Sequence, residues 1–170
     1  MPHRHPPART HRVHQSQPSP PARHRPEFPG PFRHRLRMAR QETVTRTEDP
    51  LEFWTVLNEA AIRRCVGGPA VMREQLRRLA DVAELPNVTV QILPYGVGAH
   101  AAMMGPFTIV TFNEDGADDV TYLEYAAGSL YLEKRDAVRN YTRAFDDLRA
   151  SALDPRGSLD LIRRTADTFA

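Results

Sequence analysis

The sequence contains little of several residue types that define common functional classes. Cys65 is the only cysteine among 170 residues, which excludes an internal disulfide and a metal site built from several thiolates. No apolar run approaches the ~20 residues of a membrane span. The prolines and arginines at the start exclude a secretory leader. These absences favour a cytoplasmic protein that does not contact membranes.

Lysine is equally scarce, and the basic residues are unevenly distributed. Lys134 is the sole lysine beside 22 arginines, a bias typical of GC-rich codon usage. Residues 1–37 hold eight arginines, six of the seven histidines, nine of the 15 prolines and one acidic residue, giving a formal charge of +7. Residues 38–170 hold 15 basic and 20 acidic residues, or −5. The sequence pI of 9.0 therefore describes the first segment and not the rest.

The N-terminal segment is predicted to be a disordered arm over residues 1–40. It has too few large apolar residues to offset an ordering entropy of ~1–2 kcal/mol per residue. Its arginines could contact nucleic acid, whereas the pair His3 and His5 lacks the further ligands of a metal site. Such runs also arise when GC-rich DNA is translated in a shifted frame or from a start too far upstream. A basic tail and a mistranslated leader both remain open.

Residues 41–170 are predicted to form one α+β domain, since about 130 residues is the usual size of a single core. Periodicity and turn residues indicate the order β-α-β-β-β-α-α. The sheet is expected to be mixed, with three or four strands, one crossover helix and two C-terminal helices. Residues 128–132 are interpreted as an extension of the preceding strand after a bend. The strand at residues 88–93 is expected to be half-buried because its apolar and polar residues alternate.

The loop at residues 94–106 contains the best candidates for ligand or partner binding. His100 is the only histidine in the domain and stands near two methionines, which adapt to irregular apolar surfaces. The alternative is an exposed or capping histidine in a loop whose methionines rest on the sheet. Outside the loop, an aromatic residue could line a pocket or pack in the core, and paired arginines could grip an acidic partner or remain solvated. The candidate binding residues are His100, Met103, Met104, Trp54, Tyr95, Arg63 and Arg64.

Catalysis is not expected from this pattern. An enzyme would have to use His100 with a carboxylate such as Glu59, and no paired general acid and base can be located from spacing. Cys65 has no recognisable base and orienting partner nearby, so it is interpreted as a small apolar space-filler. We predict no catalytic residue, no metal site and no cofactor.

Two further motifs have simpler structural explanations. The acidic turn around Glu114, Asp115, Asp118 and Asp119 lacks the alternating ligands of a calcium loop, so a solubilising hairpin tip is preferred. The run Gly67-Gly68-Pro69 lacks the glycine and lysine pattern of a phosphate loop. It is interpreted as a turn before a helix.

A series of short motifs, taken in their order along the chain, resembles a known family of domains. EAAIRR, GGPAVM, QLRRL, NVTVQILP, GAH, GPF and YLE resemble the domain of unknown function that follows an Xre-type helix-turn-helix in antitoxin-like transcriptional regulators of actinobacteria. The resemblance covers about residues 40–170. It implies a non-catalytic sensor, dimerisation or partner-docking domain, and it supplies no catalytic residues.

This sequence departs from the pattern of the family at its N-terminal side. Family members begin with a helical DNA-binding domain and a PGLLQT-like motif, and neither is recognisable here. DNA binding is thus expected only through a helix-turn-helix that this chain lacks, or through the basic arm. A protein partner or self-association is expected, because a sheet without its usual N-terminal helices would expose apolar surface. A small ligand remains an alternative.

Overall fold

The computed structural model describes residues 9–14, 42–112, 118–125 and 128–169. A helical turn at residues 42–45 is named α1. The other elements, in chain order, are β1 (Arg9–His14), β2 (Glu52–Asn58), α2 (Glu59–Arg63), α3 (Pro69–Ala83), β3 (Val88–Leu93), 3₁₀ turns at Tyr95–Val97 and Ala101–Met104, β4 (Phe107–Thr111), β5 (Val120–Tyr125), β6 (Gly128–Leu132), α4 (Arg135–Ser151) and α5 (Pro155–Asp167).

The strands form one mixed sheet in the order β3-β2-β1-β4-β5-β6. β3, β2 and β1 are parallel, and α3 is the crossover between β2 and β3. β4, β5 and β6 are antiparallel, and β1 pairs antiparallel with β4. β1 therefore joins a parallel pair to an antiparallel triple. The predicted α+β class, the crossover helix and the two C-terminal helices are confirmed.

The number of strands differs from the prediction of three or four. One additional strand is β6, which turns back on β5 with Tyr125 opposite Gly128 and does not extend it. The other is β1, which lies within the predicted arm. Its pairing is carried by backbone groups of β2 and β4 on either side, so composition gave no signal for it. The rest of residues 1–41 lies outside the described residues.

Two helical layers cover the sheet on opposite faces. Side chains of β2 alternate, so that Phe53 and Leu57 pack with α3 and α5 while Trp54 and Val56 pack with α4. Each layer has its own core. The first is centred on Ile62, Met72, Leu76, Ile92 and Ile162, and the second on Val56, Leu93, Phe107, Ile109, Phe145 and Leu148.

β3 is buried on both faces, which corrects the expectation of a half-buried strand. Val90 and Ile92 face α3 and α5, and Leu93 lies in the opposite core. Gln91 is buried as well because its side chain bonds Trp54 Nε1 and the carbonyls of Arg149 and Leu153. The alternation of apolar and polar residues in the sequence reflects two different buried environments and not a solvent-exposed face.

The predicted helix boundaries follow local chemistry. Pro69 occupies the first turn of α3, where its missing N–H is not needed. Asp154 caps α5 through a bond from Gly157 N at 2.7 Å, and Pro155 follows it. Among the described residues, no helix combines the length and apolar character needed to cross a membrane.

Candidate functional site

The candidate site lies where two parallel strands end. Asn58 at the end of β2 is in register with Leu93 at the end of β3. The carboxyl ends of parallel strands are the usual place for binding groups in such sheets. The chain leaves β3 into residues 94–106, named here the 3₁₀ loop, which contains both 3₁₀ turns.

Two consecutive residues, the last of β2 and the first of α2, hold this loop at two points. Glu59 Oε2 accepts a hydrogen bond from Tyr95 N at 2.9 Å, and its Oε1 accepts from Arg63 Nε at 2.5 Å. Asn58 Nδ2 lies 3.4 Å from His100 Nε2, while Asn58 Oδ1 caps α2 by accepting from Ala60 N at 2.9 Å. The junction of β2 and α2 is therefore fastened to the start and the middle of the 3₁₀ loop.

Glu59 is a buried carboxylate that these bonds keep ionised. Burial alone would raise the pKa of Glu59, but the Tyr95 N–H and the Arg63 guanidinium together outweigh it, so the pKa lies below its ordinary value of 4.5. Both carboxylate oxygens are occupied. Glu59 is thus a structural anion and a poor candidate for accepting a proton near neutral pH.

The 3₁₀ loop presents apolar side chains to solvent. Tyr95 is 58% exposed, Met103 60% and Met104 98%. Between them, Ala102 is buried in the core under α4. A loop fixed by Glu59, Asn58 and Ala102 therefore displays three large apolar groups that the described fold does not use for its own packing.

His100 is partly buried beneath this surface. Because Asn58 Oδ1 is committed to the cap of α2, its Nδ2 must be the group that donates to His100 Nε2. The neutral ring then carries its proton on Nδ1, which is buried and has no hydrogen-bond partner among the described residues. His100 contacts an amide and not a carboxylate, an arrangement that does not form an acid–base pair.

The structure brings some of the predicted site residues together and separates others. Tyr95, His100, Met103 and Met104 share the 3₁₀ loop, and Arg63 joins them through Glu59. Arg64 is the C-terminal cap of α2 and is exposed.

Trp54 lies elsewhere, four residues or about 13 Å back along β2 from Asn58. Its ring packs edge-on against Phe145 and beneath the Arg149 guanidinium. It bonds Gln91 Oε1 through Nε1 at 2.8 Å, so its surroundings are those of a core residue.

Asn58 is the site residue that sequence reasoning missed. Its signal was the cap pattern, since asparagine before Glu-Ala-Ala favours a helix start. Its contact with His100 spans 42 positions and required the fold.

Two clefts of the described structure lie away from the 3₁₀ loop. An open cleft of about 960 Å³ runs along α3 to Phe169. A smaller one of about 350 Å³ lies beside Asp118 and Arg135, which form an ion pair at 2.9 Å. In the part of the chain that the structure describes, no three histidine, cysteine, aspartate or glutamate residues come together as a metal site would require. Residues 113–117 of the acidic turn lie outside the described residues.

Fold and site together define an α+β domain whose mixed sheet carries an anchored loop with an exposed apolar surface. The chain belongs to the family described as "Domain of unknown function (DUF5753)", whose family model matches residues 13–164. The match begins within β1 and includes every later element of the sheet. No curated protein and no solved structure matches the chain.

Proposed function

We propose that this chain is a non-catalytic regulatory domain that docks a protein partner through the surface of the 3₁₀ loop. The observation that carries the proposal is the exposure of Tyr95, Met103 and Met104 on a loop fastened at Glu59 and Asn58. Holding apolar groups in a defined position lowers the ordering cost of binding.

The alternative of a small enzyme using His100 has weaker support. Glu59 is the carboxylate that the sequence offered as a partner for His100, and its bonds to Arg63 and Tyr95 already occupy both oxygens. His100 Nε2 faces the Asn58 amide. General acid–base catalysis needs a group that can reach and exchange the proton of a substrate. Both oxygens of Glu59 are occupied, and the unpartnered nitrogen of His100 is buried.

A protein partner fits this surface better than a small ligand. Small ligands are held in concave sites that enclose most of their surface, and both described clefts are lined by residues outside the 3₁₀ loop. Met103 and Met104 instead project outward, and flexible thioethers suit contact with another protein surface. We expect the partner to present an apolar anchor, such as an aromatic or leucine side chain.

The regulatory setting of the proposal comes from the resemblance. The motifs of residues 40–170 resemble the domain that follows an Xre-type helix-turn-helix in antitoxin-like regulators. In that setting the docked partner would control, or be controlled by, a transcription factor in the cytoplasm.

The docking surface is tested by matched substitutions from apolar to acidic. Met104→Asp changes the most exposed of the large apolar residues of the 3₁₀ loop, and Val71→Asp changes an exposed apolar residue of α3. The tagged full chain is purified from its native host and the retained proteins are quantified by mass spectrometry. We expect at least one protein that the wild type and Val71→Asp retain and that Met104→Asp retains about tenfold less, a loss of ~1.4 kcal/mol. Equal retention by both variants, or no retained protein, contradicts the proposal.

A second candidate function is nucleic-acid binding through the arm, favoured by the +7 formal charge of residues 1–37. Deleting the arm would also remove β1, so the better test replaces Arg23, Arg25, Arg33 and Arg35 with glutamine. An electrophoretic shift that weakens steeply with salt and disappears in this variant would support the candidate. No shift at moderate salt removes it.

A further inference from the structure

The larger cleft, named here the α3 cleft, runs along α3 from Pro69 to Asp81 and includes Phe169. Its volume is about 960 Å³, and sites for small ligands range over roughly 300–1,000 Å³. α3 and α5 run antiparallel, because Arg163 of α5 bonds Glu84 beyond the end of α3 at 2.6 Å. Phe169, which follows α5, therefore lies near the start of α3.

The arginines along the α3 cleft have no acidic partner. Arg77 and Arg78 are each four positions from an acidic residue of the same helix, the spacing at which ion pairs form on helices. Neither forms such a pair in the part of the chain that the structure describes, and neither does Arg73. Exposed arginines of α4 do pair, as Arg139 does with Asp136 at 3.0 Å. The guanidinium groups of the α3 cleft are therefore available to an anion.

Arg73 in particular lacks an acceptor. The residue is partly buried, and its Nε is buried without a hydrogen-bond partner among the described residues. An unpaired buried donor on a charged group is costlier than one on a neutral group. Arg73 and Arg77 lie one turn apart on α3, so their flexible side chains can hold one oxyanion between them. An oxyanion at this point supplies the acceptor that Arg73 lacks.

The end of the α3 cleft near the start of α3 is apolar. Pro69 and Ala70 form the first turn of α3 and are exposed. Phe169 is partly exposed and packs against the core that contains Met72 and Leu76. None of the three residues at this end has a polar side-chain group, so an apolar part of a ligand can lie there without burying one. The apolar end adjoins the arginines directly, because Arg73 follows Ala70 by three positions.

We propose that the α3 cleft binds a small organic anion, with its apolar ring against Phe169 and its carboxylate or phosphate group held by Arg73 and Arg77. Three arginines and two acidic residues, Glu74 and Asp81, line the cleft and give it a formal charge of +1. This charge favours a ligand with one or two negative charges over a polyanion. The 3₁₀ loop contributes no residue to the cleft, so ligand binding and partner docking are measured separately.

An NMR titration of the isotope-labelled full chain with phenyl phosphate tests the proposal. We expect saturable shifts at the amides of residues 70–81 and 169, with a dissociation constant of about 1 mM or lower. Benzyl alcohol has the ring without the charge, and inorganic phosphate has the charge without the ring. Each should bind at least about tenfold more weakly. The proposal is overturned if phenyl phosphate gives no saturable shift up to about 10 mM, or if either control compound binds equally well.

A matched pair of variants tests the basic wall. Arg77→Gln changes an exposed residue, so the variant should fold, and it should bind phenyl phosphate about tenfold more weakly. Arg143→Gln makes the same change at an exposed arginine of α4 that does not line the cleft, and it should bind as the wild type does. Equal affinities of the two variants contradict the proposal.

The same titration distinguishes a small ligand from a segment of a partner protein. The capped tripeptide Asp-Phe-Asp carries an aromatic ring and two carboxylates on a peptide backbone. We expect it to bind no more tightly than phenyl phosphate. Binding about tenfold tighter, with shifts at the same residues, overturns the assignment of a small ligand and favours an acidic protein segment.

Discussion

Phe145→Ala should lower the free energy of unfolding by about 3–5 kcal/mol, the range for removing a buried aromatic side chain from a packed core. Phe145 is buried between α4 and the sheet, in contact with the core that contains Val56, Leu93 and Phe107. Its ring also meets Trp54 edge-on with centroids 6.0 Å apart, a geometry that adds to the value of burial.

Chemical denaturation monitored by circular dichroism measures this loss. Phe112→Ala is the matched control, because Phe112 follows β4 and is 43% exposed. We expect the control to lose less than about 1 kcal/mol. Similar losses for both variants would contradict the assignment of the core beneath α4.

Glu59→Ala should cost about 2–3 kcal/mol and loosen the 3₁₀ loop. The substitution leaves the Tyr95 N–H without its acceptor and removes a charge-assisted bond to Arg63. The Arg63 side chain is partly exposed, so water compensates for some of its loss. The exchange rate of the Tyr95 amide should increase. The exchange rate of the Val90 amide, in β3, should keep its rank among the core amides.

The same carboxylate makes the stability depend on pH in a defined direction. Since the pKa of Glu59 is lower in the folded chain than its ordinary 4.5, its contribution is fully present above that value. It is lost as pH falls through the folded pKa. Glu59→Gln should remove this component of the acid-side loss. A variant whose stability falls with pH as steeply as the wild type would show that the carboxylate is not the responsible group.

The helical half of the fold could be predicted from local chemistry. Pro69 and Asp154 mark helix starts by backbone and capping rules, and the apolar stripes of α3, α4 and α5 identify the faces that pack. The strands were harder to place. β1 has no apolar alternation and gains its position from β2 and β4 on either side. β6 pairs back on β5 from Gly128 opposite Tyr125, and the sequence between these two residues is Ala-Ala, which contains no glycine, asparagine or proline to signal a turn.

The site was predictable where its members are neighbours in sequence. Tyr95, His100, Met103 and Met104 belong to one loop, and their grouping needed no tertiary information. The contacts of Asn58 and Glu59 with that loop span 42 and 36 positions, which no periodicity reports. Trp54 was assigned to the site by residue type alone. The alternation of side chains along β2 instead places its ring in the core under α4.

The central claim is that the 3₁₀ loop is the surface at which a partner docks. Hydrogen–deuterium exchange tests it directly, with the full chain measured alone and in complex with the protein that Met104→Asp fails to retain. We expect the new protection to concentrate in residues 95–104 and β6 to remain unchanged. Protection that falls on α3 or β6 and leaves residues 95–104 as they were would contradict the claim.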